Sequence, residues 1–333
     1  MSSPPVALRE AIRARTRPAV ARAAAAAAAQ VLAQAAGAEL RGVVFFGSRR
    51  TEAGADPWSA YDFFVLTRAY RGFYSALRKA GKVKRSPAVL ALLNALLPPS
   101  QVSLWLGTPD APLHAKCSVL SFTAFLRETS RRRHDHFCIG RLFQPSEIVH
   151  AADEATAERI LDGLVSAHEE TYRWVRPWLP AQFDAEAYGR TLLRVSMARE
   201  IRPEPPGRAD ALWEVQRREQ GPVYALLLET LAAGGELRPS GEAPGTYQLV
   251  RPVSAAERLG IQAYFAWSLL RATARWGKHV FTFEGWLDYI LRKARRHVGE
   301  EIVLSPRERR WPLLFLWPRF FRYLRRRGRG GPP

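Results

Sequence analysis

The sequence predicts a mixed α/β (α+β) fold: a sheet-bearing domain over residues 38–150, then a mostly α-helical domain over 151–305. Three observations predict it. Two apolar runs of strand length, "GVVFF" and "YDFFVLT", lie close together at Gly42 and Tyr61. A second pair, "QVSLWLG" and "HAKCSVLS", is joined by the turn residues "TPDAP". Beyond residue 150 the apolar residues recur at helical spacing. An apolar fraction of 47% and a charged fraction of 24% over 333 residues suit a folded protein with a sizeable core.

In chain order, residues 1–37 are an N-terminal alanine-rich segment, read as one helix over 7–37 packed on the domain. Its Arg and Ala content also resembles an organelle presequence, but the packed helix is the preferred reading. Gly42–Phe46 is a short buried strand, Gly47-Ser48 a turn, and the polar stretch through Trp58 a loop or a short helix plus loop. Tyr61–Thr67 is the second strand, and Tyr70–Lys79 a helix. "SPAVLALLNALL" is another helix, closed by Pro98-Pro99. Further helices are expected over 121–132, 152–176 and 185–200. Three prolines and a glycine in "RPEPPGRAD" break the chain before helical patterning resumes at 211–233. "GGELRPSGEAPG" reads as a loop, and 254–298 as mostly helical, with "TFEGWLDYILRKARRHVG" its best amphipathic segment.

Fifty Lys and Arg against 31 Asp and Glu give a net charge of +19. Such an excess points to polyanionic partners: nucleic acid, anionic lipid or phosphorylated substrates. Cys117 and Cys138 have no metal-ligand spacing around them, and a disulfide between them is not expected, so a reducing compartment is the default. No apolar run approaches the ~18 residues that cross a bilayer.

The segment "GVVFFGSRRTEAGADPWSAYDFFVLT" carries the chemistry. A strand that ends in Gly47-Ser48 offers backbone N–H groups and a hydroxyl, which suit a triphosphate. Asp62 opens the next strand, and pairing of the two strands would set it beside that turn, where its oxygens could hold Mg²⁺ or Mn²⁺ against phosphates. The bland alternative is a plain turn and an aspartate at a strand edge.

A Gly-Ser turn followed by a strand aspartate resembles the nucleotidyltransferase superfamily, although the second aspartate of its Asp-x-Asp pair is missing: Ala60 and Phe64 flank Asp62 at that spacing. Three stretches narrow the resemblance. Phe46-Gly47-Ser48-Arg49 with Tyr61-Asp62-Phe63-Phe64-Val65 is the first, and Lys116-Cys117-Ser118-Val119 leading to Phe137-Cys138-Ile139-Gly140-Arg141-Leu142-Phe143-Gln144-Pro145 the second. Ser196-Met197-Ala198-Arg199-Glu200-Ile201-Arg202 is the third. Together they resemble the mitochondrial phosphatidate cytidylyltransferases, the translocator-assembly-and-maintenance family that makes CDP-diacylglycerol, with this chain a distant, bacterial-type relative. Arg49 departs from the family's turn glycine, and Arg68 and Ala69 stand where it has an acidic pair.

The resemblance implies the following roles. Asp62 and Glu200 hold Mg²⁺; Gly47, Ser48 and Arg49 cradle the nucleotide phosphates. Lys116 neutralises those phosphates or the pyrophosphate leaving group, or else is a snorkelling edge lysine. Arg141 and Arg202 clamp a phosphate or pair structurally with an acid. Glu204 and Asp56 are reserve carboxylates, and His114, His134 and His136 have no catalytic role. The implied reaction joins CTP to phosphatidate or a related anionic lipid, at a peripheral site on the cytoplasmic face of an inner membrane.

The tail over 306–333 suits that setting. Trp311, Leu313, Phe315, Trp317, Phe320 and Phe321 form an aromatic-apolar block with six arginines between Arg319 and Arg329, too short to span but suited to a membrane surface. Core packing and a nucleic-acid arm are the alternatives, nucleic acid the least favoured.

Overall fold

The computed structural model describes residues 4–18, 22–50, 60–107, 112–200, 207–241, 243–282, 304–310 and 315. The fold is a mixed α/β one. Its centre is a five-stranded sheet of β1 (Leu40–Phe46), β2 (Tyr61–Thr67), β3 (Ser100–Gly107), β4 (Pro112–Ser121) and β5 (Ser146–Ala151), in the order β3-β4-β2-β1-β5. β2 and β4 run parallel, and every other pairing is antiparallel.

Side-chain alternation splits the sheet into two faces. Val43, Phe45, Phe63, Val65, Cys117 and Val119 point to one side, where α2 (Ala23–Ala36), α3 (Tyr70–Lys79) and α4 (Pro87–Leu96) cover them. Val44, Phe46, Phe64, Leu66 and Leu120 point to the other. Their cover is α1 (Pro4–Thr16), α5 (Phe122–Glu128), α6 (Ile139–Leu142), α7 (Glu154–Glu169), α8 (Thr171–Val175), α9 (Ala185–Ala198), α10 (Arg208–Ala233) and α11 (Ala255–Thr282).

The single helix expected over 7–37 is two helices. Pro18 supplies no N–H to continue α1, and the halves serve opposite faces: Leu8 and Ile12 of α1 enter one core, Ala25, Ala29 and Leu32 of α2 the other. The arginines of α1 have a structural use. Arg9 reaches Asp162 and Glu158, Arg13 reaches Glu158, and Arg17 reaches Glu154, a ladder of four-residue steps matched to α7.

The division expected at residue 150 is also corrected, because one core crosses it. Val44, Phe64 and Phe143 share a cluster with Leu164, Trp174, Trp213 and Phe265. Residues 1–282 form one compact unit, and 283–333 a second, of which only 304–310 and 315 are described, with a short helix Pro306–Arg310. Gly189 of α9 allows close packing here: a Cβ at that position would stand 2.2 Å from the Trp213 ring of α10. The loop expected at 234–245 carries one strand of a two-stranded hairpin, Leu237–Pro239 with Tyr247–Leu249, whose Tyr247 also exchanges backbone hydrogen bonds of 2.9 and 2.8 Å with Phe183. Both cysteines are free and buried, and burial pushes each thiol well up. Among the described residues no helix is long and apolar enough to cross a membrane.

Candidate functional site

The β1–β2 register places Phe46 opposite Asp62, so the end of β1 and the start of β2 meet at one end of the sheet. β4 runs parallel on the other side of β2 and sets Lys116 opposite Asp62. Asp62, Phe64, Phe46 and Lys116 therefore share a sheet face. Phe46 and Phe64 stack at 4.7 Å and floor the site. The Lys116 Nζ lies 3.8 Å from the Asp62 Oδ1, with side-chain exposures of 20% and 29%. This is a loose pair that solvent or a ligand can enter, unlike a closed buried bridge.

The turn touches the aspartate directly. Gly47 adopts φ +89°, a left-handed conformation that glycine takes without strain. A Cβ there would stand 2.9 Å from the Asp62 Oδ2. Glycine at 47 is thus required twice, by its backbone and by the carboxylate beside it. Ser48–Arg50 continues as one 3-10 turn, closed by the Arg50 N–H donating to the Gly47 carbonyl at 3.0 Å. Ser48 is exposed, and the Arg49 guanidinium lies 5.2 Å from the centre of the Tyr61 ring.

Arg50 joins the turn without being among the residues expected from the sequence. Its side chain is only 6% exposed; Nε lies 3.2 Å from Glu147 of β5, and Nη1 donates to Glu219 of α10 at 2.8 Å. Arg50 thereby fastens the turn to the sheet and to a helix on the same face. An arginine pair in a turn ordinarily reads as solvated, and the two acids lie 97 and 169 residues away, so no local signal marks it.

Arg141 and Glu200 form a second polar group. Arg141, on α6, stacks over the Phe137 ring at 4.0 Å and donates to the Phe137 carbonyl at 2.8 Å. Its guanidinium meets the Glu200 carboxylate, just beyond α9, at 3.4 Å. Phe137 in turn packs edge-on against Phe64, two residues along the strand from Asp62. The α6 segment is held from behind, where Gln220 and Tyr224 of α10 donate to the Phe143 carbonyl at 3.3 and 3.2 Å. Ser196 of the third stretch is buried and bonds the His136 Nε2 at 3.0 Å.

Glu200, expected as the second metal carboxylate, lies 3.4 Å from the Arg141 guanidinium, so Arg141 has the acid partner that its structural reading required. Arg202, Glu204 and Asp56 lie outside the described residues, as does all of the tail except 306–310 and Phe315. His114 bonds Ser103 at 2.7 Å, and the half-exposed His134 pairs with Glu128 at 2.7 Å. Burial, with Arg133 and Arg141 nearby, drives His136 down to about 3.

The site supplies a glycine turn, one accessible carboxylate and one ammonium. That donor set fits a magnesium ion carried in on nucleotide phosphates, since Mg²⁺ is commonly held by one or two carboxylates together with phosphate and water. No group of three or more His, Cys, Asp or Glu side chains able to hold a metal occurs among the described residues. No protein-family model and no curated protein matches the sequence.

Proposed function

We propose that the chain is a nucleotidyltransferase that transfers a cytidylyl group from CTP to phosphatidate, giving CDP-diacylglycerol and pyrophosphate at a membrane surface. The observation that carries the transferase reading is the meeting of Gly47, Asp62 and Lys116 at one sheet end. CTP and phosphatidate come from the resemblance of the three sequence stretches.

The reaction asks for positioning and charge neutralisation more than for proton transfer. An oxygen of the phosphatidate monoester, already ionised at neutral pH, attacks the α-phosphorus of CTP. The new P–O–P bond forms as the α–β phosphoanhydride breaks, and pyrophosphate carries away the electron pair. The Gly47–Arg50 turn would hold the nucleotide phosphates, with Arg50 fixing the turn. Lys116 would lie against the leaving pyrophosphate, and Asp62 would be the protein carboxylate toward Mg²⁺. The chemistry that Mg²⁺ supplies when bound is neutralisation of phosphate charge. The C-terminal aromatic and arginine residues would keep the enzyme at the lipid.

A second reading, a nucleotide-binding domain without turnover, is favoured by one observation: Glu200 is committed to Arg141. The test separates the two. Purified protein is incubated with Mg²⁺, phosphatidate-containing vesicles and radiolabelled CTP, beside ATP, GTP and UTP. Labelled lipid from CTP alone, falling by roughly 10³-fold in Asp62→Ala, is the expected result. Nucleotide binding with no labelled lipid would establish the non-catalytic reading.

A further inference from the structure

β3 is an edge strand of the sheet, and two of the helices that pack against it, α4 and α11, turn apolar side chains outward. α4 has no charged residue; Leu90 and Asn94 face inward, while Val89, Leu92 and Leu96 are 52%, 59% and 69% exposed at helical spacing. On α11, Phe265, Ser268 and Arg275 face inward, and Trp267 and Leu270 are 51% and 59% exposed. Trp105, on β3 itself, is 64% exposed. The parts adjoin. Lys278 of α11 donates to the carbonyls of Leu93 at 3.3 Å, Leu97, and Pro99 at 3.1 Å, and Lys82, ahead of α4, donates to the Trp105 carbonyl at 3.4 Å.

The two stretches that build this edge carry cations and no acid of their own. No Asp or Glu occurs from Phe63 to Pro109, whereas Arg78, Lys79, Lys82, Lys84 and Arg85 crowd the connection into α4. No acid occurs from Leu259 to Phe283 either. A second copy of the chain would bring like charge against like. Nucleic acid would answer the cations but leave Val89, Leu92, Leu96 and Leu270 wet. An anionic bilayer accepts both, since leucine and valine enter the headgroup–acyl boundary, tryptophan sits at headgroup depth and lysines rest on the lipid charge.

We infer that the protein docks on anionic lipid at the β3 edge of the sheet, through the exposed residues of α4 on one side and Trp105 and α11 on the other. This docking needs no nucleotide, and it is distinct from attachment through the C-terminal tail.

The test uses the full chain without nucleotide, sedimented with vesicles of phosphatidylcholine alone or with added phosphatidylglycerol. Binding is expected only to the second kind and weakens with salt. Leu92→Glu/Leu96→Glu is expected to lower the partition coefficient about tenfold or more, and Lys79→Glu/Lys82→Glu to lower it and flatten its salt dependence. Val215→Glu, at an exposed position of α10, is expected to bind as wild type, and all variants to keep the wild-type unfolding midpoint. Full binding by both double variants would overturn the inference. So would a dimer in solution that Leu92→Glu/Leu96→Glu dissociates, because a second copy would then be the occupant. CTP turnover with a short-chain, water-soluble phosphatidate is read separately; a wild type without turnover defeats the transferase proposal and leaves the docking result standing.

Discussion

Asp62 and Asp135 are both single carboxylates set among aromatic and apolar residues, yet their surroundings are opposite. Asp135 is 3% exposed and accepts from Arg275 at 2.6 Å, from Arg271 at 2.7 Å and from the Phe137 N–H at 2.9 Å. Burial alone would raise its carboxyl, but the two arginines outweigh burial and hold it below the ordinary aspartate range. Asp62 is 29% exposed, and its ionic partner among the described residues is one lysine at 3.8 Å. A carboxylate whose lone pairs are all engaged ties elements together. One that is reachable, with a cation nearby and a glycine turn against it, is placed to receive a ligand.

The difference can be broken by experiment. Asp135→Ala strands two buried guanidinium groups and is expected to cost about 3–5 kcal/mol in urea unfolding, whereas Asp62→Ala is expected to stay within about 0.5 kcal/mol of wild type. Equal losses would erase the contrast. Gly47→Ala tests the Asp62 side from its neighbour. The positive φ and the 2.9 Å approach to the Asp62 Oδ2 predict a loss of about 1–3 kcal/mol, and transferase turnover is expected to fall at least as far as the strain moves the carboxylate. A turnover unchanged in this variant would separate the turn from the aspartate.

A pH-dependent effect sharpens the Asp135 side. His136 and His168 are buried and neutral, each driven down to about 3, by burial first and by nearby arginines second. The unfolded chain protonates such groups near pH ~6.5. Their contribution to stability is therefore complete above that value and declines as pH falls toward 3, by up to about 1.4 kcal/mol per pH unit for each histidine. Asp135 adds a decline of the same sense below the ordinary aspartate value. Urea midpoints between pH 7 and 4 measure the histidine part, and His168→Gln is expected to halve the slope.

Much of the site could be read from the sequence because it is local. Alternation in "VVFFGS" and "YDFFVLT" sets the faces of β1 and β2, and the hairpin relation then brings Gly47 to Asp62. Lys116 followed from a charge in a second apolar strand. The rest depends on distant partners. Arg50 looks like a solvated turn residue until Glu147 and Glu219 close on it, and the pairing of Glu200 with Arg141, 59 residues apart, leaves no mark on either local stretch. β5 hides behind "SEIVHA", whose Glu147 and His150 blur the strand period. Pro18 was a visible break signal; the alanine run after it carried the helix reading across.

The stretch from Phe63 to Pro109 holds neither a carboxylate nor an imidazole. Lysine and arginine keep their protons to pH ~10, so the charge of that stretch is fixed across the whole range in which the acids and histidines elsewhere titrate. On a negatively charged plane, whether a bilayer or an ion-exchange resin, that stretch offers the same cations throughout that range.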